Sequence, residues 1–215
     1  MTRPRILMAD DHSLVLAGLR RLVEEEGEVV GTVEDGRALV EAAQRLRPDL
    51  ILLDISMPLL NGLDAARQLT QLVPASKLIF LTVHTTPTYV TEAFKAGAVG
   101  YLVKQSATAE LKLAIQTVLK GQHYMTPSVT KEMLELRRRP PGDPVCKRPV
   151  TALTPRQREV LQLLAEGKGT RSIASILNVS IKTVEFHRTR LMEELDLHSV
   201  AELTKYAVSE GLVSL

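Results

Sequence analysis

What the chain lacks narrows the problem before any motif is read. No apolar run approaches the ~18–20 residues that a membrane-crossing helix requires, so a bilayer-spanning protein is not expected. The N-terminal TRPRILMADD has too short an apolar part, and turns acidic too soon, to act as a secretory signal. Cysteine occurs once, as Cys146, which excludes an internal disulfide framework and fits a reducing compartment. A cytoplasmic protein is therefore expected. Charge of one sign is also missing: 27 Lys and Arg face 25 Asp and Glu, a net of +2. Split by region, residues 1–125 hold 13 basic and 14 acidic side chains, 126–150 hold six and three, and 151–215 hold eight of each. The basic excess lies in the middle, so any nucleic-acid binding by the C-terminal part must come from charge placement.

What remains is an ordinary globular balance, 45% hydrophobic and 24% charged, over a length that suits one large domain or two small ones. In the first 125 residues the short apolar runs RILMAD (5–10), VVGTV (29–33), LILLD (50–54), KLIFLT (77–82) and VGYLVK (99–104) read as strands. The third and fourth are apolar almost throughout, as parallel strands covered on both faces should be. Helical stretches alternate with them at roughly 13–26, 36–47, 61–72, 87–96 and 107–121, punctuated by Asp35-Gly36, Pro48, Asn61-Gly62 and Gly97. Five strands alternating with five helices predict a doubly wound, five-stranded parallel α/β domain over 1–125. A further helix is expected over 127–138, opened by Thr126-Pro127. The stretch RRRPPGDPVCKRPVT then breaks any period, so 126–150 reads as a linker made semi-rigid by proline. From 151 the pattern is helical: 155–166 behind the cap signature Thr154-Pro155 with Gln157, then 169–177, about 180–194 and 199–210. The second and third of these are separated only by Asn178-Val179-Ser180, which predicts a helix-turn-helix in a small all-α, four-helix domain over 151–215.

In a doubly wound sheet, ligands bind at the carboxyl ends of the strands. That edge collects Asp10 and Asp11 after the first strand, Asp54 at the end of the third, Thr82 at the end of the fourth and Lys104 at the end of the fifth. Three carboxylates brought together in a partly desolvated pocket repel one another by several kcal/mol. Lys104 or a hard, oxygen-seeking divalent cation such as Mg²⁺ must compensate. Capping of the following helices is the lesser reading for each of these residues alone, and it does not account for all five at one edge. His12, beside the acidic pair, is a poor Mg²⁺ ligand, and His84, just past Thr82, reads as a solvated loop residue ahead of a contact with the switch surface.

ADDH at 9–12, LLDISMPLLNGLD at 52–64, the threonine of LTVH at 81–84 and GYLVK at 100–104 resemble the receiver domain of bacterial response regulators, a flavodoxin-like fold. The resemblance covers residues 5–121. It implies that Asp54 is the phosphoacceptor for a sensor histidine kinase. Asp11, Asp54 and the backbone carbonyl of Ser56 would hold Mg²⁺, with Asp10 acting through water. Lys104 would bind a phosphoryl oxygen, and Thr82 with Tyr101 would form the switch. Taken by itself, Tyr101 reads as a half-buried strand tyrosine. Pro58 and Gly62 would shape the loop after Asp54 through their backbone preferences. Gln105 departs from the family, which often has Pro or Asp after the lysine, so a changed loop or phosphoryl lifetime is expected there.

The segment 153–199, strongest in LTPRQREVLQLLAEGK and KTVEFHR, resembles the helix-turn-helix domain of the LuxR and NarL/FixJ regulators. The helix that starts after Ser180 would enter the major groove of a double-stranded operator. Lys182, Thr183 and Arg190 would reach phosphates, and Glu185, Phe186 and Thr189 would meet base edges. At 100° per residue, Ile181, Val184, Leu191, Met192 and Leu195 form its core stripe, with Phe186 exposed opposite. Arg188 falls within that stripe and is expected to pair with Glu159. Either Glu193 or Glu194, three and four residues on, is expected to hold Arg190. Ala201, Leu203, Ala207 and Val208 on the last helix either close the core or form a face for a homodimer on DNA; RNA polymerase is a further partner of such regulators.

The reading is a DNA-binding transcriptional response regulator, not an enzyme, switched by phosphorylation of Asp54. The alternative from another class is an interaction protein whose receiver serves as a docking module independent of phosphorylation. A small hydrolase using Asp54 as nucleophile is disfavoured, because DISMP supplies no second acid to protonate a leaving group.

Overall fold

The computed structural model describes residues 3–137 and 153–213. The proline- and arginine-rich part of the expected linker, with Cys146, lies outside the described residues. Two compact units are present, an N-terminal α/β unit and a C-terminal helical unit. Among the described residues no helix is long and apolar enough to cross a membrane.

In the N-terminal unit, β1 (Arg5–Ala9), β2 (Glu28–Val33), β3 (Leu50–Leu53), β4 (Lys77–Thr82), β5 (Gly100–Val103) and β6 (Tyr124–Met125) form one sheet in the order β2-β1-β3-β4-β5-β6. Every neighbouring pair is parallel. The helices α1 (Ser13–Glu26), α2 (Gly36–Leu46), α3 (Gly62–Leu72), α4 (Pro87–Lys95) and α5 (Ala107–Leu119) connect the first five strands and lead out of β5, and α6 (Pro127–Arg137) follows β6. On one face Ile6, Met8, Leu50, Leu52 and Ile79 pack against Leu16 and Val23 of α1 and Leu111 and Ile115 of α5. The alternate residues Leu7, Ile51 and Phe80 are just as buried, because strand side chains alternate between faces and both faces are covered. Truncating any of the large aliphatic ones to Ala is expected to cost about 2–5 kcal/mol.

The five expected strands are present; the sixth was not expected. Two residues carry no readable period, and β6 exists only because the chain leaving α5 finds the free edge of β5. Local capping follows the sequence: Asp35 accepts from the amides of Arg37 and Ala38 at the start of α2.

The C-terminal unit consists of α7 (Pro155–Ala165), α8 (Thr170–Ile176), α9 (Ile181–Leu195) and α10 (Val200–Ser209). Val160, Leu161, Ile173, Val184, Leu191 and Leu203 form its core. Thr154 and Gln157 close the expected capping box on α7, and Ser199 with Glu202 makes a second on α10. The α8–α9 turn runs through Asn178 in the left-handed region (φ 51°), and Ser180 caps α9 by accepting from the Thr183 amide. Asp196 ends α9 in the same strained region, with φ 53°.

Candidate functional site

The parallel order forces the ends of β1, β3, β4 and β5 to one edge, and the acidic residues meet there. Asp10 and Asp54 are each only 2% exposed. Carboxylate oxygens of Asp10, Asp11 and Asp54, with a ring nitrogen of His12, all lie within 4.8 Å of one another. The Lys104 ammonium stands 2.6 Å from Asp54 Oδ2 and 2.7 Å from Asp10 Oδ2. With Asp10 this is an ion pair without an aligned hydrogen bond. Burial pulls the lysine pKa down, but its close contacts with the Asp10 and Asp54 carboxylates and their charges outweigh that, so the net shift is upward and the ammonium is retained. Asp10 is pushed up, chiefly by burial, against the opposing pull of Lys104 and of the His12 amide, which donates to Oδ1 at 3.0 Å. The Ile55 amide donates to Asp54 Oδ1 at 2.6 Å and fixes the carboxylate.

One lysine therefore serves two buried carboxylates, with a third, Asp11, at the rim. The donor set is oxygen-rich and retains net negative charge, the combination that a hard divalent cation satisfies. Mg²⁺ fits it chemically. His12 turns its Nδ1 to Asp11 Oδ1 at 2.7 Å and remains 65% exposed at the side chain.

Gly62 has a stronger reason to be glycine than turn preference. A Cβ there would lie 1.9 Å from the Asp54 carbonyl oxygen and 2.9 Å from its carbonyl carbon. The start of α3 thus rests directly on the backbone of Asp54, with the Gly62 amide donating to Ile55 O at 2.8 Å.

Beside the acidic pocket, Thr82 is fully buried, and among the described residues its hydroxyl receives only a long, 3.4 Å contact from the His84 amide. Tyr101 is also fully buried rather than half-buried, and its hydroxyl donates to His84 O at 2.8 Å. Burial comes first among the causes that raise its pKa, followed by the Asp54 charge, so it remains a phenol. His84 is not the solvated loop residue that was expected. Its Nε2 is 2.9 Å from Ser56 Oγ, and its ring stacks on Tyr89 at 4.2 Å. Burial, the largest influence, holds this imidazole below its ordinary pKa. The residues after Lys104, including Gln105, form a single 3-10 turn over Lys104–Ser106.

On α9, Val184 and Leu191 are buried, whereas Ile181 at the expected stripe's edge is 42% exposed, because the first turn projects past the core. Lys182, Glu185, Phe186, Thr189 and Arg190 are all exposed. Phe186 is 56% exposed, and the Arg190 guanidinium lies 5.4 Å from its ring centroid. That cation–π contact, not an acidic neighbour, is the arginine's observed partner. Thr183 is half-buried, its amide and hydroxyl both engaged with Ser180 Oγ. Glu194, expected to hold Arg190, accepts from Gln157 Nε2 on α7 at 2.8 Å. Glu159, expected to pair with Arg188, pairs with Arg156 one turn away at 2.8 Å. The shorter reach within one helix favours that partner.

Known proteins match along nearly the whole chain. Residues 6–116 match the response regulator receiver domain, and 151–207 match the bacterial regulatory proteins of the luxR family. The oxygen regulatory protein NreC of Staphylococcus epidermidis is 37% identical over 97% of this chain and 99% of its own length. The response regulator UvrY of Escherichia coli is 34% identical over 96% and 94%. Among solved structures, the response regulator RcsB of Salmonella typhimurium superposes with a TM-score of 0.65 at 29% identity, covering 98% of this chain and 99% of that one. An RcsB–DNA complex matches at 0.60 and 28%, covering 98% and 100%. The chain belongs to the LuxR-type response regulators. It is a DNA-binding response regulator of a two-component system, in a family of transcriptional regulators rather than enzymes. In this regulator the structure brings Asp10, Asp11, Asp54, Thr82 and Lys104 to one sheet edge. Ser56 contributes a side-chain contact, to His84, that its expected role as a carbonyl donor did not anticipate.

Proposed function

We propose that Asp54 is the phosphoacceptor and that its phosphorylation controls DNA binding by α9. The observation that supports this most is Lys104, 2.6 Å from Asp54 and 2.7 Å from Asp10 at the carboxyl edge of the sheet. A carboxylate oxygen of Asp54 forms a bond to phosphorus as the phosphorus–nitrogen bond of a phosphohistidine on the sensor kinase breaks, and the leaving imidazole takes a proton from solvent. The Ile55 amide holds the plane of the attacking carboxylate. Lys104 shifts its ammonium from carboxylate to a phosphoryl oxygen as a point charge. Asp11, Asp54 and the Ser56 carbonyl would hold Mg²⁺, with Asp10 bound through water; once bound, the ion neutralises charge on the phosphoryl oxygens. Thr82 has only a 3.4 Å contact to give up in turning toward the new phosphoryl group. Tyr101, already inside the fold, is then held there.

Residues 1–125 carry this chemistry, 126–150 join the two functions and 151–215 bind DNA. Lys182, Thr183 and Arg190 contact phosphates, while Glu185, Phe186 and Thr189 face base edges in the major groove. Thr183 contributes least, because Ser180 already occupies its hydroxyl. The regulator binds its duplex as a homodimer, as the RcsB dimers on DNA do. Leu203 and Ala207 belong to the core of the helical unit, which leaves Ala201 and Val208 of α10 for that contact. The sensor histidine kinase, operator DNA and RNA polymerase are the partners, in the cytoplasm.

Incubation with a small phosphodonor and Mg²⁺ tests the reading directly. The wild-type chain should gain one phosphoryl group by mass and bind a selected duplex more tightly; Asp54→Ala should do neither. Equal phosphoryl uptake by Asp54→Ala would remove Asp54 from its role.

A further inference from the structure

The sheet edge beyond β5 holds a contact that the site described above does not use. β6 pairs with β5 through Gly100↔Tyr124 and Tyr101↔Met125, and the Thr126 amide extends the pairing by donating to Tyr101 O at 3.0 Å. Were β6 to continue, this register would direct the Val103 amide to the carbonyl of Thr126. That carbonyl has turned away and instead accepts from the Thr130 amide at 3.1 Å and the Thr130 hydroxyl at 3.2 Å, opening α6. Pro127, with no amide hydrogen to place, suits the first position of that helix. The Val103 amide is satisfied by the Thr126 side chain, donating to Oγ1 at 3.1 Å. Thr126 is only 1% exposed, so water cannot substitute.

Each polar group of Thr126 therefore has a distinct task. Amide and hydroxyl clamp β5 on either side of Leu102, between Tyr101 and the residue that precedes Lys104. The carbonyl holds the first turn of α6, the last described helix before the chain leaves for the helical unit. We propose that Thr126 is a positioning residue: its hydroxyl sets the end of β5 that aims Lys104 at Asp54, and it couples the change of partner by Lys104 on phosphorylation to the start of α6. The proposal rests on Asp54 being the phosphoacceptor.

Two variants of the full-length chain separate this from mere structural support. Thr126→Val keeps the shape and removes the acceptor, whereas Thr126→Ser keeps the hydroxyl. Each is treated with acetyl phosphate and Mg²⁺ and titrated with a duplex selected from a random-sequence pool by the wild-type chain. Thr126→Val should take up phosphoryl groups about tenfold more slowly, the effect of about 1.4 kcal/mol at the transition state. It should also lose the gain in DNA affinity on phosphorylation while binding DNA normally without it. Thr126→Ser should restore both to within about twofold of wild type, the kinetic equivalent of under ~0.5 kcal/mol. If Thr126→Val matches wild type in rate and gain, or if Thr126→Ser fails as badly as Val, the proposal is wrong while the phosphoacceptor reading stands. A wild-type chain that takes up no phosphoryl group sinks both. Should Thr126→Val not fold, hydrogen exchange of the Val103 amide in the wild-type chain decides. A change on phosphorylation supports the clamp's part in signalling, and an unchanged rate overturns it.

Discussion

Replacing one hydrogen atom tests how tightly Asp54, the proposed phosphoacceptor, is framed. In Gly62→Ala, the new Cβ would sit 1.9 Å from the Asp54 carbonyl oxygen, 2.9 Å from its carbonyl carbon and 3.0 Å from Ile55 Cα. All three are backbone atoms, so no side chain can swing aside. Restoring even a tight contact of about 3 Å requires the start of α3 and the Asp54 peptide to separate by roughly 1 Å. Overpacking of that kind costs about 1–3 kcal/mol of stability. A 1 Å displacement of a reacting group costs on the order of 100-fold in rate. Gly18→Ala is the internal control: it makes the same chemical change on the exposed side of α1, where a Cβ would meet nothing within 4 Å. Alanine there should stabilise by about 0.5–1 kcal/mol, because glycine is the poorer helix former. Urea denaturation and phosphoryl uptake from acetyl phosphate measure both effects. If Gly62→Ala unfolds at the wild-type midpoint and phosphorylates within about twofold of the wild-type rate, corresponding to under ~0.5 kcal/mol, the close approach does not constrain Asp54.

Two further outcomes follow from the charges. Lys104→Met leaves Asp10 and Asp54 buried without their shared cation, so the N-terminal unit should lose about 3–5 kcal/mol in the absence of metal. Added Mg²⁺ should recover part of that loss by binding only the folded state, and a melting point indifferent to Mg²⁺ would contradict a metal site at this edge. In the helical unit, burial, then Arg156 and Arg190, hold His187 below its ordinary pKa of 6.5. The folded state therefore takes up its proton at lower pH than the unfolded chain does. Stability should be complete above pH 6.5 and fall as the pH drops through that value, levelling once the folded imidazole is itself protonated. His187→Asn should flatten this slope in a pH series of denaturation midpoints; an unchanged slope assigns it to another group.

The parts legible in the sequence are those written in short-range pattern. The LILL and KLIFLT runs marked β3 and β4 because strands buried on both faces must be apolar throughout. Once the strands were parallel, the positions of Asp54, Thr82 and Lys104 followed from topology, since one edge must collect all carboxyl ends. What escaped depends on a partner far along the chain. By its neighbours Thr126 reads as the opening of a helix, and the edge of β5, 23 residues away, gives its hydroxyl a further purpose. His84 read as a loop residue because nothing local announces Ser56, 28 residues earlier. Periodicity assigned Ile181 to the core stripe of α9, but it encodes direction and not where a neighbouring helix stops, so the first turn extends into solvent.

The acidic end of α9 bears on folding and on DNA binding at once. Lys182 and Glu193 are 11 residues apart, about 16 Å along a helix at ~1.5 Å per residue, so the end proposed to enter a groove is not the end that carries the acids. Glu194 has a structural use in accepting from Gln157, whose side chain also closes the capping box of α7. It therefore contributes to folding as well as opposing phosphate. Glu194→Lys separates the two. Loss of the hydrogen bond should destabilise the helical unit by about 0.5–1.5 kcal/mol. The reversed charge should nonetheless tighten binding to duplex DNA and steepen the logarithmic salt dependence by about 0.9 if the lysine neutralises one phosphate. Glu194→Gln removes the charge while keeping an acceptor, so it should keep most of the stability and gain less affinity. If Lys and Gln tighten binding equally, the gain comes from lost repulsion alone; if neither changes affinity or salt slope, this end of α9 never approaches the phosphates, and the contact surface is confined to the turns carrying Lys182, Phe186 and Arg190.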